Sequence, residues 1–272
     1  MPINHAIVAQ IAYKTWCINE AGMDAMFLLE GEEKALLIDT GTGTFDLKEL
    51  ISTLTSKPLM VALTHGHVDH AGGMKQFDRV YLHADDFEMA NSITLEERQY
   101  YADMLIDMAQ GVFAPVQCIN FSNDVTLCPL KEGEDIDLGN RMVKVYETAG
   151  HTEGGLSFLD TKERILFSGD ACNSNTLLVD TKPKMTISEI LRTAKKLNSL
   201  DFDRHYNGHV GYASYIAFMP LAKSLIQDAI DLCEDLLSGR IKGEQTENPF
   251  GGKCLIAKNK TLQIQYKEEC LK

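Results

Sequence analysis

The sequence lacks two features, long apolar runs and an excess of positive charge. No run of about 18 apolar residues occurs, so we expect no membrane-spanning helix. The 39 acidic residues outnumber the 26 basic ones, and the formal net charge is −13. Because such an acidic surface repels phosphate backbones and anionic lipids, we expect no nucleic-acid partner and no membrane docking.

Paired cysteines are also lacking. The seven cysteines are scattered and odd in number, and none forms a C-x-x-C pair. The first five residues contain no basic segment leading into a long apolar stretch, so we expect no signal peptide. These features predict reduced thiols and a cytoplasmic location. The cysteines are Cys17, Cys118, Cys128, Cys172, Cys233, Cys254 and Cys270.

Length and composition are those of a folded globular protein. The chain has 272 residues, of which 44% are apolar, a fraction too high for a disordered protein. We find no linker, low-complexity tract or sequence repeat. The simplest prediction is one domain covering residues 1–272.

The most informative stretch covers residues 64–73, Thr-His-Gly-His-Val-Asp-His-Ala-Gly-Gly. The apolar run before it, residues 58–63, is predicted to form a buried strand. The two glycines at its end allow a tight turn into a short helix. The polar side chains are therefore expected at the carboxyl end of a strand, where open α/β sheets place their sites.

The residue types in this loop are metal ligands. Zinc, iron and manganese accept imidazole nitrogen and carboxylate oxygen. His65 and His67 are two residues apart, so they can approach one cation from the same side. Asp69 and His70 follow on the next turn and would point to a different place. One loop can thus supply two adjacent metal centres, roughly 3.5–4 Å apart as in other two-metal sites.

Similar turns follow other predicted strands. Asp39 begins an Asp-Thr-Gly turn. We interpret its carboxylate as a group that supports the metal ligands without binding the metal itself. His151 lies in a glycine-rich turn, Asp170 follows a buried strand, and His209 follows a short strand. Two other histidines, His83 and His205, are expected to be structural, with His205 facing away from the site.

Residues 84–135 interrupt the alternation of strands and helices. A capping box at residues 94–97 predicts a helix that ends by Gly111, followed by a loop-like stretch through Pro129. The insertion could form a lid or substrate-pocket wall, or a peripheral helix that closes the core. Tyr100, Tyr101 and Met104 are the candidates for pocket contact.

The last third of the chain shows further helix signals. A second capping box, at residues 186–189, predicts a helix whose apolar face begins at Ile187. Another helix is predicted from about Pro220 to Gly239. The tail is predicted to end in a strand over residues 262–266.

Taken together, these motifs resemble those of the metallo-β-lactamase superfamily. They occur in the family's order between residues 39 and 209, and the full set is specific although each piece alone is weak. The matching pieces are Asp-Thr-Gly at 39–41, His-Gly-His-Val-Asp-His at 65–70, Gly-His-Thr at 150–152, Ser-Gly-Asp at 168–170 and Gly-His at 208–209.

The resemblance implies a fold and a ligand set. The fold would be a four-layer αββα sandwich of the α+β class, with a helical insertion at about residues 84–135. Two divalent cations, Zn²⁺ by default and iron or manganese as alternatives, would occupy a cleft along one edge. The first would be bound by His65, His67 and His151, and the second by Asp69, His70 and His209. Asp170 would bridge both.

The sequence differs from several branches of the superfamily, and these differences narrow the expected activity. The zinc β-lactamases with a cysteine ligand carry it where Asp170 stands here, and Cys172 is two residues away. The flavin-dependent diiron branch has glutamate where His67 stands. The tail after His209 does not match the glutathione-binding helical region of glyoxalase II. The resemblance therefore points to the branch of glyoxalase II-like thioesterases, lactonases and related esterases.

The expected activity is hydrolysis of a small-molecule thioester, lactone or ester by a hydroxide that bridges two cations. Asp69 would orient the hydroxide or accept its proton, which makes it the candidate catalytic residue. A small phosphodiester is the alternative substrate, since the same centre can hydrolyse it. A metal-binding sensor without catalysis is the third possibility. The sequence leaves the oligomeric state open.

Overall fold

The first half of the chain forms a seven-stranded sheet. The structure, a computed structural model, describes residues 6–22, 24–108, 113–178, 185–209, 218–222 and 224–272. Strands β1 to β4 pair antiparallel, and β4 to β7 pair parallel. In spatial order, which is also chain order, the strands are β1 (Ala6–Ala12), β2 (Thr15–Glu20), β3 (Asp24–Glu30), β4 (Ala35–Ile38), β5 (Leu59–Ala62), β6 (Arg79–Leu82) and β7 (Thr126–Pro129).

A second sheet of five strands follows. Its pairs are antiparallel except for β11 and β13, which run parallel. Its strands are β8 (Ile136–Asp137), β9 (Met142–Glu147), β10 (Leu156–Asp160), β11 (Ile165–Phe167) and β13 (Arg204–Tyr206), in the spatial order β13-β11-β10-β9-β8.

The two sheets pack face to face around an apolar core. Phe27 of β3 meets Phe167 of β11, with ring centroids 4.7 Å apart, and Tyr206 of β13 lies beside both. Successive residues of β10 point to opposite faces, as the strand period requires. Phe158 joins the core between the sheets, while Leu159 joins the core beneath the helices on the outer face. Because both faces are covered, β10 is buried throughout.

Helices cover the outer faces of both sheets. Leu47 and Ile51 of α1 pack on the first sheet, and α5 and α6 share a core with the outer face of the second. The capping box predicted at Thr186 and Glu189 starts α5. The helices are α1 (Leu47–Leu54), α2 (Val68–Ala71), α3 (Phe87–Ser92), α4 (Leu95–Met108), α5 (Ile187–Asn198) and α6 (Ser224–Leu237). In the described part of the chain, no helix has both the length and the apolar character that crossing a membrane requires.

The four-layer αββα sandwich is therefore confirmed. Its helical insertion consists of α3 and α4, which extend from Phe87 to Met108. The prediction of a loop through Pro129 is wrong for its last four residues. Residues 126–129 form β7, which pairs with β6. Strand β7 lies at the edge of the sheet, and its residues do not alternate clearly between buried and exposed. The sequence therefore gives little indication of this strand.

The C-terminal part differs from expectation in two places. Helix α6 begins at Ser224 rather than Pro220, and the backbone N–H of Leu221 instead donates to the carbonyl oxygen of His205 in β13. A third sheet was missed apart from its strand near residues 262–266. It consists of β12 (Asn175–Leu178), β14 (Glu244–Glu247), β15 (Lys253–Lys258) and β16 (Gln263–Tyr266), in the order β12-β16-β15-β14.

Candidate metal centre

The loop after β5 brings the first ligands to the edge of the sandwich. Strand β5 ends at Ala62, and α2 begins at Val68. Between them, the backbone N–H of Thr64 donates to Oδ1 of Asp39, at 2.7 Å. Asp39 has a φ of +64°, a conformation that aspartate tolerates better than most residues. The end of β4 thus fixes the start of the histidine loop.

Three histidines meet at the first cluster. Nδ1 of His67 lies 3.1 Å from Nε2 of His65 and 2.9 Å from Nε2 of His151. The nearest ring nitrogens of the three all lie within 4.8 Å of one another. His151 is held by the loop between β9 and β10, so the two sheets contribute to one cluster.

A second cluster lies beside the first. Oδ2 of Asp69 is 3.6 Å from Nε2 of His70 and 3.5 Å from Nε2 of His209. Asp170 lies between the clusters, with Oδ1 3.5 Å from Nε2 of His70 and Oδ2 3.6 Å from Nε2 of His151. All seven side chains predicted as ligands therefore meet at one place.

The geometry fits divalent cations. Ligand atoms about 2.0–2.1 Å from a tetrahedral cation lie about 3.3 Å from one another, and the spacings above scatter around that value. Nε2 of His70 and Oδ1 of Asp170 are buried, yet they have no hydrogen-bond partner among the residues that the structure describes. Because buried polar atoms are normally paired, these two atoms point to a missing partner of positive charge.

Asp39 orients His70 from behind, as the Asp-Thr-Gly turn predicted. Its Oδ2 lies 2.9 Å from Nδ1 of His70, and both side chains are almost fully buried. A proton held on Nδ1 by this carboxylate leaves Nε2 directed at the second cluster. A carboxylate behind a ligand histidine in this way fixes its tautomer and orientation.

The histidines of the two clusters differ in how readily they take up a proton. Burial lowers the pKa of His67 to about 3, with a further contribution from His151. Burial also opposes the charged form of His70, but Asp69, Asp39 and Asp170 outweigh it and raise the pKa to about 10. In the same way Asp170 outweighs burial at His209, whose pKa rises to about 9. The second cluster therefore attracts positive charge more strongly than the first.

Glycine at position 208 allows the close approach of two loops. A Cβ built on Gly208 would lie 2.2 Å from Cε1 of His70, a distance that real atoms do not reach. Any side chain there would therefore push away His70. Packing therefore explains the glycine of the Gly-His pair at 208–209, independently of the role predicted for His209.

Asp86, which the sequence analysis missed, fastens the two histidine loops together. Its Oδ2 accepts from the backbone N–H of Gly66 at 3.0 Å and from Oγ1 of Thr152 at 2.8 Å. Its Oδ1 accepts from the N–H of Gly154 at 2.9 Å. The only sequence signal is an aspartate shortly after β6, which by itself resembles a helix cap.

A cleft of about 550 Å³ opens from the two clusters. Helix α4 forms one wall, and the predicted contacts Tyr100, Tyr101 and Met104 all line it. The insertion is therefore a pocket wall, one of the alternatives left open by the sequence. The hydroxyl of Tyr101 also donates to Oδ2 of Asp69, at 2.7 Å.

The histidines and the cysteine that the sequence placed outside the site lie away from the two clusters. His83 makes surface contacts with Asp85 and Glu147, at 3.4 Å each. Nε2 of His205 lies 2.8 Å from Oγ of Ser168, and the ring is buried outside the clusters. Cys172 is buried in the apolar core beneath α5. No disulfide joins the seven cysteines, all of which lie in the described residues, as the scattered spacing predicted.

Comparison with known proteins supports the assignment from the motifs. The family model of the metallo-beta-lactamase superfamily matches residues 21–84. An acyl-coenzyme A thioesterase from Homo sapiens, MBLAC2, is 29% identical over 188 residues, which cover 64% of this chain and 67% of that protein. A hydroxyacylglutathione hydrolase from Francisella philomiragia is 26% identical over 207 residues, which cover 75% of this chain and 70% of that protein. Together these matches support the metallo-beta-lactamase superfamily as the family of this chain.

Solved structures agree with this membership at the level of the fold. A metallo-beta-lactamase from Pontibacter korlensis has a TM-score of 0.56 at 17% identity, covering 85% of this chain and 99% of that one. A metallo-beta-lactamase family protein from Thermus thermophilus has a TM-score of 0.57 at 19% identity, covering 85% and 82%. The superfamily generally binds divalent metals, and the named relatives above are hydrolases. The expectation of a metallo-β-lactamase-fold hydrolase is thereby confirmed.

Proposed function

We propose that the chain hydrolyses a small-molecule thioester, lactone or ester with a dinuclear metal centre. The proposal depends on one observation, the convergence of five histidines and two aspartates beside a cleft. Two buried ligand atoms, Nε2 of His70 and Oδ1 of Asp170, support it, because they have no hydrogen-bond partner in the described part of the chain and a cation would satisfy both.

Each cluster supplies a ligand set for one cation. His65, His67 and His151 would hold the first, and Asp69, His70 and His209 the second. Asp170 would serve both, since its Oδ1 lies beside His70 of the second cluster and its Oδ2 lies beside both His151 of the first and His209 of the second. Imidazole and carboxylate make Zn²⁺ our first choice, while iron and manganese accept the same ligands.

Cations bound here would supply a hydroxide at neutral pH and polarise the carbonyl group of the substrate. The chain's own residues would position the reaction. Asp69 is the residue we assign to orienting the nucleophile or accepting its proton. Burial opposes its ionised form, but His70 and His209 outweigh burial and lower its pKa, so the carboxylate is available as an acceptor. Tyr101 restrains this carboxylate from the cleft side.

The cleft favours a carbonyl substrate over a phosphodiester. No lysine or arginine lines it within residues 6–22, 24–108, 113–178, 185–209, 218–222 and 224–272, and a phosphate group is usually held by such side chains. The two named relatives point the same way, since one is an acyl-coenzyme A thioesterase and the other a hydroxyacylglutathione hydrolase. Because the seven cysteines are scattered along the chain and form no C-x-x-C pair, we propose a cytoplasmic enzyme.

A metal-loading and substrate panel tests the proposal. Purified protein is stripped with chelator, reloaded with Zn²⁺, Mn²⁺ or Fe²⁺, and assayed on a thioester, a lactone and bis-p-nitrophenyl phosphate. We expect two cations per chain and hydrolysis of a thioester or ester that chelator abolishes. His151→Ala should lose one cation and most activity, whereas the surface variant His83→Ala should lose neither.

Each alternative has its own signature in this panel. Turnover of the phosphodiester alone would identify the second candidate activity. Two bound cations with no turnover of any substrate would favour the non-catalytic sensor. Activity that persists in protein shown to contain no metal would contradict the mechanism itself.

A further inference from the structure

The cleft above the metal centre has an uneven distribution of polarity. Its polar end consists of the ligand side chains. Away from that end, its walls are mainly apolar and aromatic. We infer, on the basis of the proposed hydrolase function, that the cleft binds the apolar chain of an aliphatic acyl substrate. Its volume of about 550 Å³ lies within the range of about 300–1,000 Å³ typical of small-molecule sites.

One wall is the helical insertion. Tyr101 touches Asp69 at the metal end, and Met104 follows three residues later on the same face of α4. Three residues of helix correspond to about 4.5 Å, so the wall continues away from the reacting centre. Met89 and Ile93, on and just after α3, extend the same surface. Because methionine adapts to the shape of its neighbour, this wall suits a flexible chain.

The opposite wall comes from the C-terminal half, with Phe250 at the tip of the β14–β15 hairpin. The side-chain oxygen Oδ1 of Asn248 accepts from the N–H groups of Phe250 and Gly252, at 2.8 and 3.2 Å. Gly251 has a φ of +82°, which other residues rarely adopt. This fixed turn holds Phe250 at the cleft, although 47% of its surface remains exposed.

Most polar side chains beside the apolar walls are already bonded within the protein. The carboxylate of Glu97 accepts from the N–H and the hydroxyl of Thr94. Asn207 donates to Asn173 at 2.6 Å. The carboxamide oxygen of Asn175 accepts from Gln263. The cleft therefore offers a ligand few polar partners beyond the metal end.

The charged side chains that line the cleft exclude an anionic acyl chain. Glu97 lines the cleft together with Asp69 and Asp170, and none of the described residues lining it is a lysine or arginine. A carboxylate or phosphate away from the cations would therefore meet no compensating side chain. The acyl part is accordingly a hydrocarbon, and any charged leaving group stays outside the apolar walls.

Binding of neutral 1-alcohols tests this inference without catalysis. Butanol, hexanol, octanol and decanol displace the fluorophore N-phenyl-1-naphthylamine from metal-free protein. Each added methylene should tighten binding about threefold to fourfold until the cleft is filled. Met104→Gln should flatten this series. The matched control Met108→Gln lies one turn further along α4 and outside the cleft, so it should leave the series unchanged.

A parallel assay uses metal-loaded protein and N-acetylcysteamine thioesters from acetyl to decanoyl. We expect kcat/KM to rise with chain length, and Met104→Gln but not Met108→Gln to abolish the rise. Alcohol affinity independent of length, or identical effects of the two variants, would overturn the inference. If alcohols bind as expected but no thioester, lactone or ester is cleaved, the proposed function fails while the apolar ligand class stands.

Discussion

The hydroxyl of Tyr101 donates a hydrogen bond of 2.7 Å to Oδ2 of Asp69. The same oxygen faces Nε2 of His70 and of His209. A side chain of the helical insertion thus restrains the atom assigned to the second cation. Arg98, on the preceding turn of α4, donates to the carbonyl oxygens of Thr42 and Gly43. These hydrogen bonds fix α4 relative to the loop that follows Asp39.

Replacing Tyr101 with phenylalanine should weaken the second cation site. The variant removes one hydrogen bond to a charged acceptor, worth roughly 1.5–3 kcal/mol, while keeping the ring. We expect the dissociation constant of one of the two cations to rise about tenfold or more in a competition titration with a chelating dye. Tyr100→Phe is the control, since 63% of Tyr100 is exposed. Equal affinities in the two variants would refute a positioning role for Tyr101.

Removing the metal should destabilise the fold. The clusters bury two side-chain atoms, Nε2 of His70 and Oδ1 of Asp170, that form no hydrogen bond with any described residue. A cation present at about 1,000 times its dissociation constant stabilises the folded state by about 4 kcal/mol per site. Adding chelator should therefore lower the melting temperature, and Zn²⁺ should restore it. The restoration should be smaller in Asp170→Asn, and an identical response in that variant would argue against Asp170 as a ligand.

Asp86→Ala should loosen the connection between the two histidine loops. Three donors lose their acceptor, two of them backbone N–H groups of Gly66 and Gly154. We expect a loss of about 3 kcal/mol or more in urea unfolding of the metal-free protein. Asp85→Ala is the neighbouring control, because its side chain is 57% exposed. A loss no larger than that of the control would contradict the structural role of Asp86.

His205 should make stability sensitive to acid. Burial lowers its folded-state pKa from 6.5 to about 4, so the unfolded chain binds this proton more readily than the folded one. Its contribution is fully present above pH 6.5 and is lost as the pH falls through 4. His205→Asn does not titrate, so its unfolding free energy should fall less between pH 6.5 and 4. The difference should reach roughly 3 kcal/mol at most, and parallel pH curves would exclude the effect.

The sequence by itself determined much of the first half of the fold and the seven side chains that we propose as ligands. The strand before residue 64 and the loop of three histidines and an aspartate are local patterns, so their position at a strand end could be predicted. Helix α1, covering Leu47–Leu54, followed from its apolar spacing and the proline after it. The division of ligands between two cations came from the resemblance, because spacing alone left His151, Asp170 and His209 unplaced.

Only the tertiary structure revealed the interactions that depend on distant residues. Asp86 meets Gly154 across 68 positions, and Tyr101 meets Asp69 across 32. Neither pair carries a local pattern, because a hydrogen bond between separate loops leaves no period in the sequence. The third sheet was missed for a similar reason. The exposed, polar β14 becomes a strand through pairing with β15, not through its own composition.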